Sequence, residues 1–203
     1  MEIKSVTFFG SSTTKVSEED FILAKKTASE IAKNNIRVVN GGGPGIMLAA
    51  TKGAKEANGQ TTVVYYRPEL AMDFEGASTV NLAQESFEKE NYIERTRKLL
   101  ELGDAYIIFR GGTGTISEFG MAWGLAKLYF GHHKPLILFG EFWEHIITSF
   151  KKYMKIKPSA LEVYTIVKTP EEVLEAIKKY DTILAKNRND HINCRNTECR
   201  LIL

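Results

Sequence analysis

Three short apolar runs in this chain end in turns of glycine and small hydroxyl residues, and each turn leads toward a helical pattern. The turns are Gly10-Ser11-Ser12-Thr13, Gly41-Gly42-Gly43-Pro44-Gly45 and Gly111-Gly112-Thr113-Gly114-Thr115. The runs before them, Ile3 to Phe9, Ile36 to Val39 and Asp104 to Phe109, are rich in β-branched and aromatic residues, as strands are. Further strands are expected at Thr61 to Tyr66, Pro135 to Phe139 and Val163 to Val167. A short one, Thr79 to Leu82, falls inside a long connection from Pro68 to Ser86. The first helix is expected to start at Ser17 as N-cap with Asp20 three residues on, and Phe21, Ala24, Ala28, Ile31 and Ala32 recur along it at helical spacing. The other helices are read at Ile46 to Ala57, Phe87 to Leu102, Thr115 to Tyr129, Glu141 to Lys152, and Pro170 to Tyr180 behind the cap Thr169.

Strand and helix in repetition specify an α/β fold, a doubly wound and mainly parallel sheet of about six or seven strands with helices on both faces. Ligands of such sheets bind beyond the C-terminal ends of the strands, where all three glycine turns fall. With 203 residues, 43% of them hydrophobic, the chain suffices for one domain, expected over residues 1 to 180. The polar residues 181 to 203 read as a C-terminal tail, loosely held from Lys186 to Arg200. Lys and Arg total 27 against 25 Asp and Glu, a net charge of +2 that argues against a dedicated nucleic-acid binder. Lys151, Lys152, Lys155 and Lys157 form the one basic cluster. No apolar stretch approaches the roughly 20 residues that span a bilayer, and the N-terminus lacks the apolar core of a signal peptide, so no membrane partner and a cytoplasmic location are expected. Cys194 and Cys199 both fall in the tail, which excludes a disulfide framework, and their spacing does not fit a zinc pair. His132, His133 and His145 form no ligand motif, so neither a metal nor a cofactor is expected.

A helix N-terminus exposes unpaired N–H groups and a partial positive charge, and glycine lets an anion approach the backbone. The loops around Gly42 and Gly43 and from Gly111 through Gly112, Thr113, Gly114 and Thr115 therefore read as a phosphate cradle, with Gly10 and Ser11 as further contacts. Gly10-Ser11-Ser12-Thr13-Thr14-Lys15 lacks the second glycine of the P-loop pattern. The dinucleotide fingerprint fails at Ile46, and the following strand ends at Tyr65-Tyr66-Arg67 without the acid that binds a ribose diol.

Gly41-Gly42-Gly43-Pro44-Gly45-Ile46-Met47 is similar to the GGGxxGxM loop of the LOG ("lonely guy") family, and Gly111-Gly112-Thr113-Gly114-Thr115-Ile116-Ser117-Glu118 resembles its PGGxGTxxE signature. Glu94-Arg95 precedes Asp104-Ala105-Tyr106-Ile107 at the spacing of that family's arginine motif. The resemblance covers roughly residues 3 to 180. It implies a Rossmann-like fold and a phosphoribohydrolase, which cuts the N-glycosidic bond of a nucleoside 5′-monophosphate such as AMP or a cytokinin riboside monophosphate (EC 3.2.2.-). The alternative among relatives is a non-catalytic protein that binds a nucleotide or molybdenum cofactor. Many members carry the description of possible lysine decarboxylases, but nothing here singles out a Schiff-base lysine. The sequence departs from the family pattern in three places. Arg110 stands where the signature has proline, Ser117 where many members have a second Glu, and the arginine motif reads Arg95-Thr96-Arg97-Lys98.

Cleaving a ribosyl N–C bond builds positive charge on the sugar, which a nearby carboxylate stabilises while it orients water. Glu118, one turn into a helix whose start would hold phosphate, is the candidate; a first-turn Glu also complements a helix dipole. Arg95, or Arg97 if the register is shifted, would supply fixed positive charge to grip the substrate and orient Glu118, although both lie in a helix crowded with charges. Arg110 can add a phosphate contact. The loop from Pro68 to Asn91 is the natural place for base selection. The resemblance also implies a homodimer or higher homo-oligomer, and the helix from Thr115 to Tyr129 is apolar enough to be buried on more than one side.

Overall fold

The computed structural model describes residues 3–68, 78 and 80–187. Seven strands form one sheet in the order β4-β3-β2-β1-β5-β6-β7, and every neighbouring pair is parallel. They are β1 (Ser5–Phe9), β2 (Arg37–Asn40), β3 (Thr61–Tyr66), β4 (Glu85–Lys89), β5 (Ala105–Ile108), β6 (Leu136–Phe139) and β7 (Tyr164–Val167). The central strands are apolar on both sides because both faces are covered. Ala105 and Ile107 of β5 enter one core, and Tyr106 and Ile108 between them enter the other. Helices α1 (Glu19–Lys33), α2 (Ile46–Glu56) and α6 (Pro170–Asn187) close the first face. Helices α3 (Tyr92–Leu102), α4 (Thr113–Leu128) and α5 (Phe142–Tyr153) close the second. The strand order reverses between β1 and β5, so the chain leaves these two neighbours in opposite directions and opens a crevice at their C-terminal ends.

The doubly wound sheet expected from the sequence is therefore present, with seven strands. Several local expectations are corrected. The charged stretch from Phe87 is not helical throughout: Glu85–Lys89 forms the edge strand β4, and α3 starts only after Asn91, whose side chain caps the Glu94 N–H. The edge position explains this, because Phe87 turns inward against the core while Glu85 and Glu88 stay exposed. Thr62 also donates a hydrogen bond across to Glu85. Of the strand expected at Thr79 to Leu82, Thr79 lies outside the described residues, and Val80 to Leu82 lie outside any strand, with the Asn81 N–H donating to the Ser78 carbonyl. Ser17 does not cap α1; Glu18 occupies that position, and its carbonyl accepts from Phe21 and Ile22. A short 3-10 turn at Pro158–Leu161 precedes β7, and α6 runs on to Asn187, past its expected end at Tyr180. Cys194, Cys199 and residues 69–77 and 79 of the connection assigned to base selection lie outside the described residues.

Helices α1 and α2 cross closely because small residues line the contact. Ala24 and Ala28 face Ala50, Gly53 and Ala54, all buried. A Cβ on Gly53 would stand 1.9 Å from the Lys25 carbonyl oxygen, so the helices touch backbone to side. Intrinsic propensity favours alanine over glycine inside a helix by about 1 kcal/mol. Here the packing should reverse that sign: Gly53→Ala is expected to lower stability by about 1–3 kcal/mol in urea unfolding, through the forced separation of α1 and α2.

Candidate active site

The crevice at the switch point holds a cavity of about 400 Å³ lined by residues that follow β1, β2 and β5 and by α3. Its three glycine turns do different work. The loop after β1 is locked from both sides: the Ser11 N–H donates to the Arg110 carbonyl, and the Ser11 carbonyl accepts from the Ile46 N–H. The first N–H of α2 is thus already bonded, and Gly45, at φ +62°, passes so near Ser11 that a Cβ would sit 2.2 Å from its carbonyl oxygen. The start of α4 is different. Gly112 is its N-cap, no side chain caps it, and α4 begins at Thr113, two residues earlier than the sequence suggests. The Ile116 N–H donates to the Gly112 carbonyl, so the N–H groups of Thr113, Gly114 and Thr115 precede the first intrahelical bond. Gly112, Thr113, Gly114 and Thr115 all line the cavity. Among the glycine turns, the one at α4 presents a helix start without a side-chain cap to the cavity.

Beyond this helix start lies a buried ion pair. Arg95 Nη1 donates to Glu118 Oε1 at 3.1 Å, with 7% of Arg95 and 6% of Glu118 exposed. The rest of the guanidinium is also engaged. Its Nε donates to the Val64 carbonyl at the end of β3, and Nη2 donates to the Gly41 carbonyl at 3.2 Å and lies 3.8 Å from the Met47 sulfur. Gly41 permits this approach, since a Cβ there would stand 1.7 Å from Arg95 Nη2. Burial pushes the Glu118 carboxyl up to about 7, while the guanidinium beside it pulls the other way. A carboxyl poised near neutrality in a cleft is suited to exchange protons with a substrate.

The other sequence candidates are distributed as follows. Gly10, Ser11 and Gly43 line the cavity with Arg95 and Glu118. Gly42, buried, and Gly111, exposed, are not part of the lining. The Gly42 N–H donates to the Asn40 side chain, and a Cβ on Gly111 would meet the Thr115 hydroxyl at 2.1 Å. Arg97 lies on the exposed face of α3, bonded to Glu94 and Glu101. Arg110 is exposed, with its guanidinium 4.6 Å from the Phe142 ring centre, and does not line the cavity. Four site residues escape sequence reasoning. Asn40, fully buried, holds the Gly42 turn and donates to Thr51, a role that an Asn directly before a glycine run does signal. Met47 closes the loop that resembles GGGxxGxM, although no role was read for it, and Tyr66 and Tyr92 line the cavity with no local pattern that announces them. Among the described residues no group of His, Cys, Asp and Glu is placed to hold a metal ion, and no helix is long and apolar enough to cross a membrane.

Fold and site define a Rossmann-like α/β protein with an uncapped helix start and a buried Arg–Glu pair at its switch point. The family described as possible lysine decarboxylase matches residues 47–177, and the chain belongs to this family, the LOG family. An uncharacterized protein of Archaeoglobus fulgidus is 30% identical over 124 residues, covering 61% of this chain and 77% of that one. Among solved structures, the protein TM1055 aligns with a TM-score of 0.64 at 21% identity, covering 87% of this chain and 99% of its own. The molybdenum cofactor binding protein of Rippkaea orientalis aligns at 0.62 and 21% identity, covering 87% and 94%. These likenesses establish the fold.

The ion pair generates a stability prediction. In Arg95→Leu, Glu118 loses the one charge that offsets its burial, so its carboxyl titrates higher still. The folded protein then binds a proton that the unfolded chain releases, and stability falls as pH rises above the ordinary carboxylate range. The loss in Arg95→Leu is expected to be about 3–5 kcal/mol at pH 8 and clearly smaller at pH 5, measured by urea unfolding at both.

Proposed function

We propose that the protein hydrolyses the N-glycosidic bond of a nucleoside 5′-monophosphate to the free base and ribose 5-phosphate. The observation that carries this reading is the Glu118 carboxyl, buried in the cavity wall on the same helix that offers the anion cradle. At about 1.5 Å of rise per residue, Glu118 lies about 7 Å along the axis from Thr113, comparable with the span from a 5′-phosphate to an anomeric carbon. The phosphate is bound by the N–H groups of Thr113, Gly114 and Thr115 and the threonine hydroxyls. The anomeric carbon then faces Glu118, whose ionised carboxylate stabilises the developing cation. Water adds to that carbon as the C–N bond breaks, its proton passes to Glu118, and the electron pair leaves with the base, which is protonated in turn. Arg95, fully engaged within the protein, orients Glu118 and moderates its proton affinity. The ring edges of Tyr66 and Tyr92 in the cavity wall suit a purine-like base, as in AMP or a cytokinin riboside monophosphate.

A second reading keeps the cavity and drops the turnover: a carrier of a nucleotide-like ligand. The likeness to the molybdenum cofactor binding protein favours it. Chromatography of free base and ribose 5-phosphate released from AMP and from isopentenyladenosine monophosphate separates the two. The hydrolase reading expects turnover by the wild type and a fall of at least about 100-fold in kcat for Glu118→Gln with nucleotide binding retained. Tight binding with no release by the wild type supports the carrier. Because the ionised form of Glu118 is the working one, kcat/KM is expected to rise with pH through about 7 and to level off above it.

The protein is further proposed to act as a homodimer or higher homo-oligomer through α4, which carries apolar residues on more than one side. Ile116, Met121 and Leu128 are exposed, and the side of Gly120 and Gly124 is open space. Gly124→Arg is expected to yield a monomer in sedimentation analysis with an unchanged far-ultraviolet spectrum, since a side chain there meets nothing within the protomer.

A further inference from the structure

We propose that Tyr92 is a positioning residue, whose hydroxyl clamps the first turns of α4 to α3 and so sets the spacing between Arg95 and Glu118. This rests on the hydrolase reading above. Arg95 and Glu118 come from different helices, and the arginine end is fixed: Val64, Gly41 and Met47 hold its guanidinium from three sides. What remains to be fixed is the start of α4. That turn has no side-chain cap, its residues Gly112, Thr113 and Gly114 are exposed, and a Cβ on Gly112 would meet nothing within 4 Å. A Cβ on Gly114 would meet a single atom within that distance, the Tyr92 hydroxyl at 3.8 Å.

Tyr92 reaches across to this turn. Its hydroxyl donates to the Ser117 hydroxyl, which in turn donates to the Gly114 carbonyl at 2.8 Å, and the Tyr92 oxygen lies 3.2 Å from that same carbonyl. The tyrosine ring is braced edge-on against Tyr66, with ring centres 6.2 Å apart. Tyr66 and the Arg95 acceptor Val64 both belong to β3. Tyr92 and Arg95 are three residues apart on α3 and therefore share a face, while Ser117 immediately precedes Glu118. Two rungs thus join the helices, Arg95 to Glu118 and Tyr92 to Ser117 and Gly114. The second depends on a departure from the family signature. At position 117 an ionised acid accepts but does not donate, whereas a serine hydroxyl accepts from Tyr92 and donates to Gly114 in one relay.

The test uses Tyr92→Phe, which keeps the ring and removes the hydroxyl, Ser117→Ala, their double variant, and Ser117→Thr, which restores a hydroxyl. With a nucleoside 5′-monophosphate that the wild type turns over, the clamp expects kcat to fall about 10-fold or more in Tyr92→Phe and Ser117→Ala. KM should stay within about 2-fold, the double variant should be no worse than either single one, and Ser117→Thr should recover most of the rate. An unchanged kcat in Tyr92→Phe overturns the proposal. So does a raised KM at constant kcat, which makes Tyr92 a substrate contact, or a thermal midpoint that falls in step with the rate. If the wild type turns over no nucleotide, the hydrolase reading fails separately, and the clamp is still read from the carbon-13 titration of the Glu118 carboxyl. Arg95 is the charged group that acts on Glu118. Loosening their spacing moves the titration of Tyr92→Phe above that of the wild type, and coincident curves overturn the clamp.

Discussion

The guanidinium of Arg95 is the joint at which this molecule is assembled. Taking a charge out of water costs several kcal/mol unless geometry and hydrogen bonds compensate it. Here compensation comes from four separate parts of the chain: the end of β3 through Val64, the turn after β2 through Gly41, the start of α2 through Met47, and α4 through Glu118. Each contact constrains a neighbour. Gly41 must lack a side chain, α3 must present Arg95 inward, and α4 must begin early enough for Glu118 to reach it. A site held this way is organised before any ligand arrives, which is the condition for electrostatic catalysis.

The division of labour among the glycine turns follows from the same geometry. All three lie at strand ends near the switch point; Ser11 takes the first N–H of α2, whereas α4 starts at Gly112 without a side-chain cap. Glu118 is carried by that same helix α4. The carboxyl is held close to neutrality by two opposing effects, burial that raises its proton affinity and an arginine that lowers it.

Much of the architecture was legible in the residues because strand and helix carry different periods. The runs before Gly10, Gly41 and Gly111 and the small-residue faces of α1 and α2 read directly as a parallel sheet with covered faces. Glu85–Lys89 did not, because an edge strand exposes half its residues to water and its charges imitate those of a helix. In the site, Glu118, Arg95 and the loop from Gly112 to Thr115 were visible through motif spacing. The choice between Arg95 and Arg97 was not, since both sit in the same charged segment and only the tertiary packing turns Arg95 inward and leaves Arg97 with Glu94 and Glu101.

What the amino-acid order determined by itself was local: where the chain turns, which faces are apolar, and where glycine turns precede helices. These depend on backbone sterics and on periodicities of two and 3.6 residues, which neighbours in sequence express. What only the tertiary structure decided was every contact between residues distant in sequence. Gly41 beneath Arg95, Tyr92 against Gly114 and Ser117, and Ser11 bonded to the first N–H of α2 all require strands that the topology brings side by side. The raised proton affinity of Glu118 belongs to that second group, because the surroundings of a carboxyl, and not its identity, set its charge.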